Sequence, residues 1–121
     1  MEREDGYAAV AKLHKALSHP ARLRILDMLG QCEACVCHLT AALGQRQPYV
    51  SQQLAVLREA NLIAERRVGT LVYYRLVDPQ VADLIAISKK WALTQGGQAV
   101  EFTLPPGGPV EGCSCPECSV R

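Results

Sequence analysis

Apolar residues recur at helical spacing through most of the first sixty positions and again beyond position 80. The spacing predicts amphipathic helices over residues 7–17, 21–29, 34–43, 48–60 and 80–94. His19 is expected to cap the second helix, with Pro20 at its first position, because proline suits the start of a helix. The third and fourth helices are separated only by a short turn at residues 45–47. Two consecutive helices joined this closely suggest a helix-turn-helix.

After the fourth predicted helix, the apolar residues no longer recur at helical spacing. Residues 65–68 and 71–77 are rich in β-prone side chains and flank the dipeptide Gly69-Thr70. This pattern predicts a hairpin with a type II′ turn, since glycine readily adopts the positive φ that the turn requires. The expected fold class is therefore mainly α with a β-hairpin wing, a winged helix-turn-helix.

The fourth predicted helix has one apolar and one polar side. Val50, Leu54 and Leu57 form an inward stripe at i, i+4 and i+7. The other side carries short, uncharged groups that suit base edges and phosphates in the major groove. The positions expected to contact DNA from this helix and its N-terminus are Gln47, Tyr49, Ser51, Gln52 and Gln53. The hairpin residues expected on phosphates or in the minor groove are Arg66, Arg67 and Thr70.

Charge supports this interpretation only through its distribution. The 121 residues are 49% hydrophobic and 21% charged, with a formal net charge of +1. Residues 45–76, however, contain five arginines and only two acids, an excess of three positive charges. A local excess of this kind can face the phosphates of nucleic acid.

Domain organisation and location follow from length and composition. Residues 1–95 are expected to form one DNA-binding and dimerisation domain. Residues 96–121 contain five glycines and four prolines, which predicts a flexible tail. The charged N-terminus does not resemble a signal peptide, and no apolar run approaches the ~18 residues of a membrane span. We therefore expect a cytoplasmic protein with no membrane partner, in a compartment where thiols stay reduced.

Six cysteines form two clusters: Cys32, Cys35 and Cys37 at the start of the first helix of the helix-turn-helix, and Cys113, Cys115 and Cys118 in the tail. Reduced thiols at this density favour thiophilic ions such as Zn, Cd, Cu(I) or trivalent arsenic. On an ideal helix, positions 35 and 37 lie ~200° apart, so they share an ion only if the first turn unwinds. Cys32 and Cys35, three residues apart, can be neighbours without distortion.

The residues alone are compatible with several ions at the cysteines and with several functions. Trivalent arsenic takes three thiolates, whereas Zn takes four ligands and would add His38 to give a Cys3His site. A redox- or persulfide-sensing regulator would need only two cysteines. An enzyme with a nucleophilic cysteine would need an anion-binding loop beside the thiol, which these cysteines lack. A metal-buffering protein would leave the DNA-binding pattern unexplained.

Four segments resemble the ArsR/SmtB family of bacterial repressors. They are the opening at residues 16–26 (ALSHPARLRIL), the recognition helix at 50–54 (VSQQL), the wing at 65–76 (ERRVGTLVYYRL) and the arsenic-sensing motif at 35–39 (CVCHL). The resemblance spans roughly residues 7–94 and implies a homodimer that binds operator DNA, represses its own operon and releases the DNA on binding arsenite or antimonite. The arsenic-sensing branch usually has an aspartate and a third cysteine where this chain has His38 and Thr40, and the family often has histidine at Gln53.

Two further expectations follow. As(III) or Sb(III) should bind Cys35 and Cys37 with Cys32 as the favoured third thiol, while the tail cysteines form a second site; Zn or Cd is the competing occupant. The first and last helices should form the dimer seam. The seam residues are expected to be Val10, Leu13, Leu17, Leu84, Ile85, Ser88 and Trp91.

Overall fold

The computed structural model describes residues 5–95 and 99–102. Helix α1 (Gly6–Leu17) begins at Asp5, whose carboxylate accepts a hydrogen bond from the amide of Tyr7 at 3.0 Å. Helix α2 (Pro20–Leu29) begins after His19, whose Nδ1 accepts from the amide of Ala21 at 3.2 Å. The predicted cap at His19 and the predicted proline at the first position of α2 are both confirmed.

The helix-turn-helix consists of α3 (Val36–Leu43) and α4 (Gln47–Glu59). Gly44 ends α3 with a φ of 64°, a left-handed conformation that glycine adopts without the strain a side chain would bring. The two helices pack through a shared apolar core in which Leu39, Val50 and Leu57 have no exposed surface. The core therefore fixes the angle at which α4 leaves the turn.

Strand β1 (Ala34–Cys35) occupies two residues that the sequence assigned to the third helix. Cys35 has an extended backbone, with φ −83° and ψ 163°, and α3 starts one residue later. Ala34 pairs with Tyr74 and Cys35 with Tyr73 in an antiparallel ladder. The prediction of a helix from residue 34 is therefore wrong, because pairing with a distant strand outweighs the local helical pattern.

The wing is an antiparallel hairpin of β2 (Ile63–Val68) and β3 (Leu71–Leu76), as predicted. Gly69 has a φ of 61°, whereas Asn61 is the only non-glycine with positive φ in the part of the chain described. A positive φ at Gly69 but not at Thr70 matches the expected type II′ turn. With β1 added, the sheet has the order β1-β3-β2.

Helix α5 (Pro79–Gln95) packs against α2, burying Val81 and Ile85 in the core. The amine of Lys89 on α5 forms an ion pair with Asp27 on α2 at 2.7 Å. The same amine lies 5.3 Å from the ring centre of Phe102, so residues 99–102 lie near the outer side of this helix pair. None of the described helices is both long enough and apolar enough to cross a membrane.

Two residues expected in the dimer seam lie in the interior of the protomer. Leu17 is 8% exposed and Ile85 is 3% exposed, and both belong to the main core. Their assignment to the seam is corrected, because a side chain already buried within one chain has little surface left to offer a second. Large apolar side chains that α1 and α5 do expose are Tyr7, Val10, Ile87, Trp91 and Leu93.

Candidate DNA interface and thiol pair

Helix α4 presents a polar side to solvent. Gln47, Ser51 and Gln52 are all exposed, as a helix lying in the major groove requires. Tyr49 is half-buried, and its hydroxyl lies 3.4 Å from Nε2 of His19. Since Nδ1 of His19 accepts from the start of α2, Nε2 is the nitrogen available to carry the proton and donate to the tyrosine. Tyr49 therefore links α4 to α2 at the edge of the polar side.

Gln53 points inward, contrary to the expectation that it contacts DNA. It is 8% exposed, and its amide oxygen accepts a hydrogen bond from Nη1 of Arg22 at 3.0 Å. Arg22 also donates through Nε to the carbonyl of Ala16 at 2.6 Å. Gln53 thus belongs to the packing between α1, α2 and α4. Its spacing from Val50, i+3, would have placed it on the apolar side, but the polar side chain suggested a DNA contact instead.

The wing holds its two adjacent arginines differently. Arg66 forms an ion pair with Glu33 and lies over the ring of Tyr73, 5.1 Å from its centre. The hydrogen bond from Arg66, together with its positive charge, lowers the pKa of Glu33, although partial burial opposes this effect. Arg67 and Thr70 are exposed towards the tip of the hairpin. The structure therefore leaves Arg67 and Thr70 better placed to reach a phosphate than Arg66.

Cys35 and Cys37 lie side by side, with their sulfur atoms 2.8 Å apart. No disulfide bond joins them, since such a bond would bring the sulfurs to about 2.05 Å. Cys35 precedes α3 and caps it, its sulfur accepting from the amide of His38 at 3.3 Å. The expectation that the first turn must unwind to bring these thiols together is therefore wrong, because Cys35 is in a strand rather than in the helix.

The other predicted ligands are not gathered around this pair. Cys32 is exposed in the segment between α2 and β1. Within residues 5–95 and 99–102, no three His, Cys, Asp or Glu side chains are grouped closely enough to hold a metal ion. The three-thiol site with Cys32 and the Cys3His site with His38 are thus not preformed. Cys113, Cys115 and Cys118 lie outside the described residues.

The thiol pair packs against the sheet that carries the wing. Cys35 is 1% exposed and Tyr73 is 5% exposed, and together they form a small cluster apart from the main core. Cys37, Ala41 and Leu71 pack around this cluster. One side of the thiol pair therefore contacts α3 and the other contacts β3.

Comparison with known proteins identifies the family. The model of the family described as "Bacterial regulatory protein, arsR family" matches residues 19–65. An uncharacterized HTH-type transcriptional regulator of Mycobacterium tuberculosis is 40% identical over 91 residues, which are 74% of this chain and 80% of that protein. The arsenic resistance transcriptional regulator ArsR1 of Pseudomonas putida is 35% identical, over 79% of this chain and 81% of that one.

A solved structure agrees with the fold. The homodimeric winged helix-turn-helix DNA-binding domain of a possible ArsR-family regulator from Mycobacterium bovis superposes with a TM-score of 0.69. It is 30% identical, and the match covers 84% of this chain and 100% of that domain. These relatives are transcriptional regulators rather than enzymes. This chain therefore belongs to the ArsR/SmtB family of transcriptional repressors.

Proposed function

We propose that this protein is a dimeric repressor that binds operator DNA and is released when As(III) or Sb(III) binds its cysteine thiolates. The observation that carries the proposal is the 2.8 Å contact between the sulfurs of Cys35 and Cys37 at the start of the helix-turn-helix. Soft ions bind where several thiols are neighbours. Because these two thiols lie at the start of the helix-turn-helix, an ion bound there can affect DNA binding. The name of the Pseudomonas relative, an arsenic resistance regulator, supports the same inducer.

The proposed dimer uses the outer sides of α1 and α5. Val10 is 51% exposed and Trp91 is 65% exposed, and Ile87, at 67%, lies one helical turn from Trp91. Clusters of exposed apolar side chains mark association surfaces. The Mycobacterium bovis relative is a homodimer, which supports a second copy of this chain as the partner. A dimer reading a palindrome places its two recognition helices about 34 Å apart.

In the proposed complex, α4 lies in the major groove and the wing contacts the backbone. Gln52, exposed near the middle of α4, is suited to pair with adenine through both atoms of its amide. Ser51 and Gln47 add hydrogen bonds to bases or phosphates, and Arg67 with Thr70 contacts phosphates from the hairpin. Arg66 contacts Glu33 and Tyr73 on the surface of the sheet and contributes positive charge beside the DNA.

The proposed ligation is an exchange of oxygen for sulfur on trivalent arsenic. Each As–O bond of arsenous acid that breaks is replaced by an As–S bond, and the hydroxyl leaves as water with the thiol proton. Three such exchanges release three waters without any change of oxidation state. Cys35 and Cys37 supply two sulfurs, and Cys32 supplies the third by movement of its exposed segment. The tail thiols form a second site.

Two alternative effectors, a Zn or Cd ion and an oxidant, would act on the same thiols in a repressor of the same fold. Zn or Cd would require a fourth ligand such as His38, so more groups would have to move than for arsenic. Direct oxidation is favoured by one observation, the proximity of Cys35 to Cys37. In that reaction the two thiols lose two electrons and two protons to a polysulfide or peroxide and form a disulfide.

The test is release of DNA measured by fluorescence anisotropy, with arsenite, cadmium, zinc and polysulfide titrated separately. The DNA is a duplex selected by the protein from a random pool. Arsenite should release it from the wild type and from Cys113→Ser, but not from Cys35→Ser or Cys37→Ser. Release by polysulfide alone would favour the redox alternative. Release by arsenite from Cys35→Ser, but not from a triple Cys113/Cys115/Cys118→Ser variant, would place the sensor in the tail.

A further inference from the structure

One cross-strand row of side chains connects the thiol pair with the wing. Cys35 on β1 is in register with Tyr73 on β3, and Tyr73 is in register with Arg66 on β2. Directly paired residues of antiparallel strands project from the same face of a sheet. Contacts follow the register: Cys35 packs with Tyr73, and the guanidinium of Arg66 lies over the ring of Tyr73.

The next cross-strand row projects from the opposite face of the sheet, towards the main core. Ala34, Tyr74 and Glu65 are in register, and both Ala34 and Tyr74 pack with the main core. Glu65 on this row pairs with Arg58 of α4 at 3.0 Å. The sheet therefore has one face that supports the recognition helix and another on which the thiol pair contacts the wing.

A ligand that bridges the pair meets closely packed neighbours on the side of Cys35, which is buried, whereas Cys37 is partly exposed. A bridging ligand adds an atom that bonds to both sulfurs, and this atom needs room beside Cys35 as well as beside Cys37. Cys35 and Tyr73 are almost fully buried against each other, so little free space is available. Close-packed side chains transmit such a change in volume to what they touch. The ring of Tyr73 is the large group that adjoins Cys35 on the sheet side.

We propose that a ligand bridging Cys35 and Cys37 changes DNA affinity through the wing, by displacing the ring of Tyr73 and with it the guanidinium of Arg66. The inference rests on the proposed function for the site, and it specifies how that site regulates DNA binding. Arg66 is held between Tyr73 and Glu33, and Glu33 precedes Cys35 by two residues on the segment that ligation disturbs. Movement of Tyr73 and of Glu33 thus acts on the same guanidinium. The hairpin changes its position while α4 keeps its packing.

The first test uses a full-length variant that retains only Cys35 and Cys37, the other four cysteines being serine. The probe is phenylarsine oxide, which takes two thiols and loses its oxygen as water. Binding is verified by the increase in mass, and amide hydrogen exchange is then compared with and without the probe. Exchange should change at least tenfold for amides of the hairpin, residues 63–76, and stay the same for α4. An unchanged hairpin in the loaded protein would overturn the proposal.

The second test measures the factor by which phenylarsine oxide lowers DNA affinity in the same background. Coupling between two sites is commonly about 5- to 150-fold, and we expect a factor in this range. Arg66→Gln and Tyr73→Leu should reduce it to less than about twofold while the probe still binds, whereas Tyr73→Phe, which keeps the ring, should preserve it.

Arg67→Gln is the matched control, because it removes the same charge from the neighbouring position of the hairpin. It should lower DNA affinity with and without the probe and leave the factor unchanged. A factor that persists in Arg66→Gln would contradict the proposal even if Tyr73→Leu failed to fold. If phenylarsine oxide changes the hairpin but arsenite does not release DNA from the wild type, the proposed inducer is wrong, whereas the proposed effect of the thiol pair on the wing is retained.

Discussion

Arg22 donates a hydrogen bond from Nη1 to the amide oxygen of Gln53, 31 residues away, at 3.0 Å. This contact joins α2 to the buried side of the recognition helix. Since Arg22 also donates to the last turn of α1 through the carbonyls of Lys15 and Ala16, a single guanidinium holds three helices in place. The orientation of α4 towards DNA therefore depends on a polar contact as well as on the apolar core.

Replacing Gln53 by alanine should destabilise the fold. The change removes the acceptor for Arg22 in a partly buried position, and a lost partner of this kind costs about 1–3 kcal/mol. The free energy of unfolding, measured by urea denaturation, should fall by this amount. Ser51→Ala, at an exposed position of the same helix, is the control and should change stability by less than about 0.5 kcal/mol. Equal stabilities of the two variants would show that the contact with Arg22 is unimportant.

Gln52→Ala should change which DNA sequence the protein prefers. The side chain is exposed on α4, and a bidentate contact between glutamine and adenine discriminates against other bases by about 1–3 kcal/mol. Selection from a random duplex pool should therefore show relaxed preference at one position in each half-site. Thermal stability should remain that of the wild type. An unchanged preference would mean that another element reads the bases.

Arg67→Ala should weaken binding to all DNA sequences to a similar extent. Arg67 is exposed on the hairpin, where a phosphate contact carries no information about sequence. Each phosphate contact contributes about 0.9 to the slope of log affinity against log salt concentration, so the slope should flatten by about that amount in each protomer. Affinity measured at several salt concentrations for selected and for random DNA provides the check. A loss confined to the selected sequence would instead indicate a base contact.

Trp91→Asp should dissociate the proposed dimer. Trp91 is 65% exposed on α5 beside Ile87, and a carboxylate there would have to lose its hydration in an apolar interface. Sedimentation velocity at micromolar concentration should detect dimer for the wild type and monomer for the variant. Val77→Asp, which places the same charge at another exposed apolar position, should remain dimeric. A monomeric wild type would contradict the dimer itself.

The sequence predicted the helices and the wing because their apolar residues repeat over many positions. It did not predict β1, since two residues are too few for a period, and the strand exists only through pairing with Tyr73 and Tyr74 almost forty residues later. The arrangement of the thiol pair depends on the same strand, because an ideal helix would place Cys35 and Cys37 on opposite sides. Gln53 has a polar side chain at a buried position of α4, and its partner Arg22 lies far away in the sequence, so the sequence pattern does not reveal their contact.

Cys35 supplies both the cap of α3 and one sulfur of the thiol pair. Serine is among the best residues for capping a helix, so exchanging this sulfur for oxygen keeps a capping residue at the start of α3 while removing one of the two thiols proposed to bind the inducer. Under the proposed function, a single codon change at this position abolishes the response to the inducer while keeping a capping residue. A population growing where the proposed inducer is absent would not select against such a permanently repressing form, and reversal of the same change would restore the proposed response.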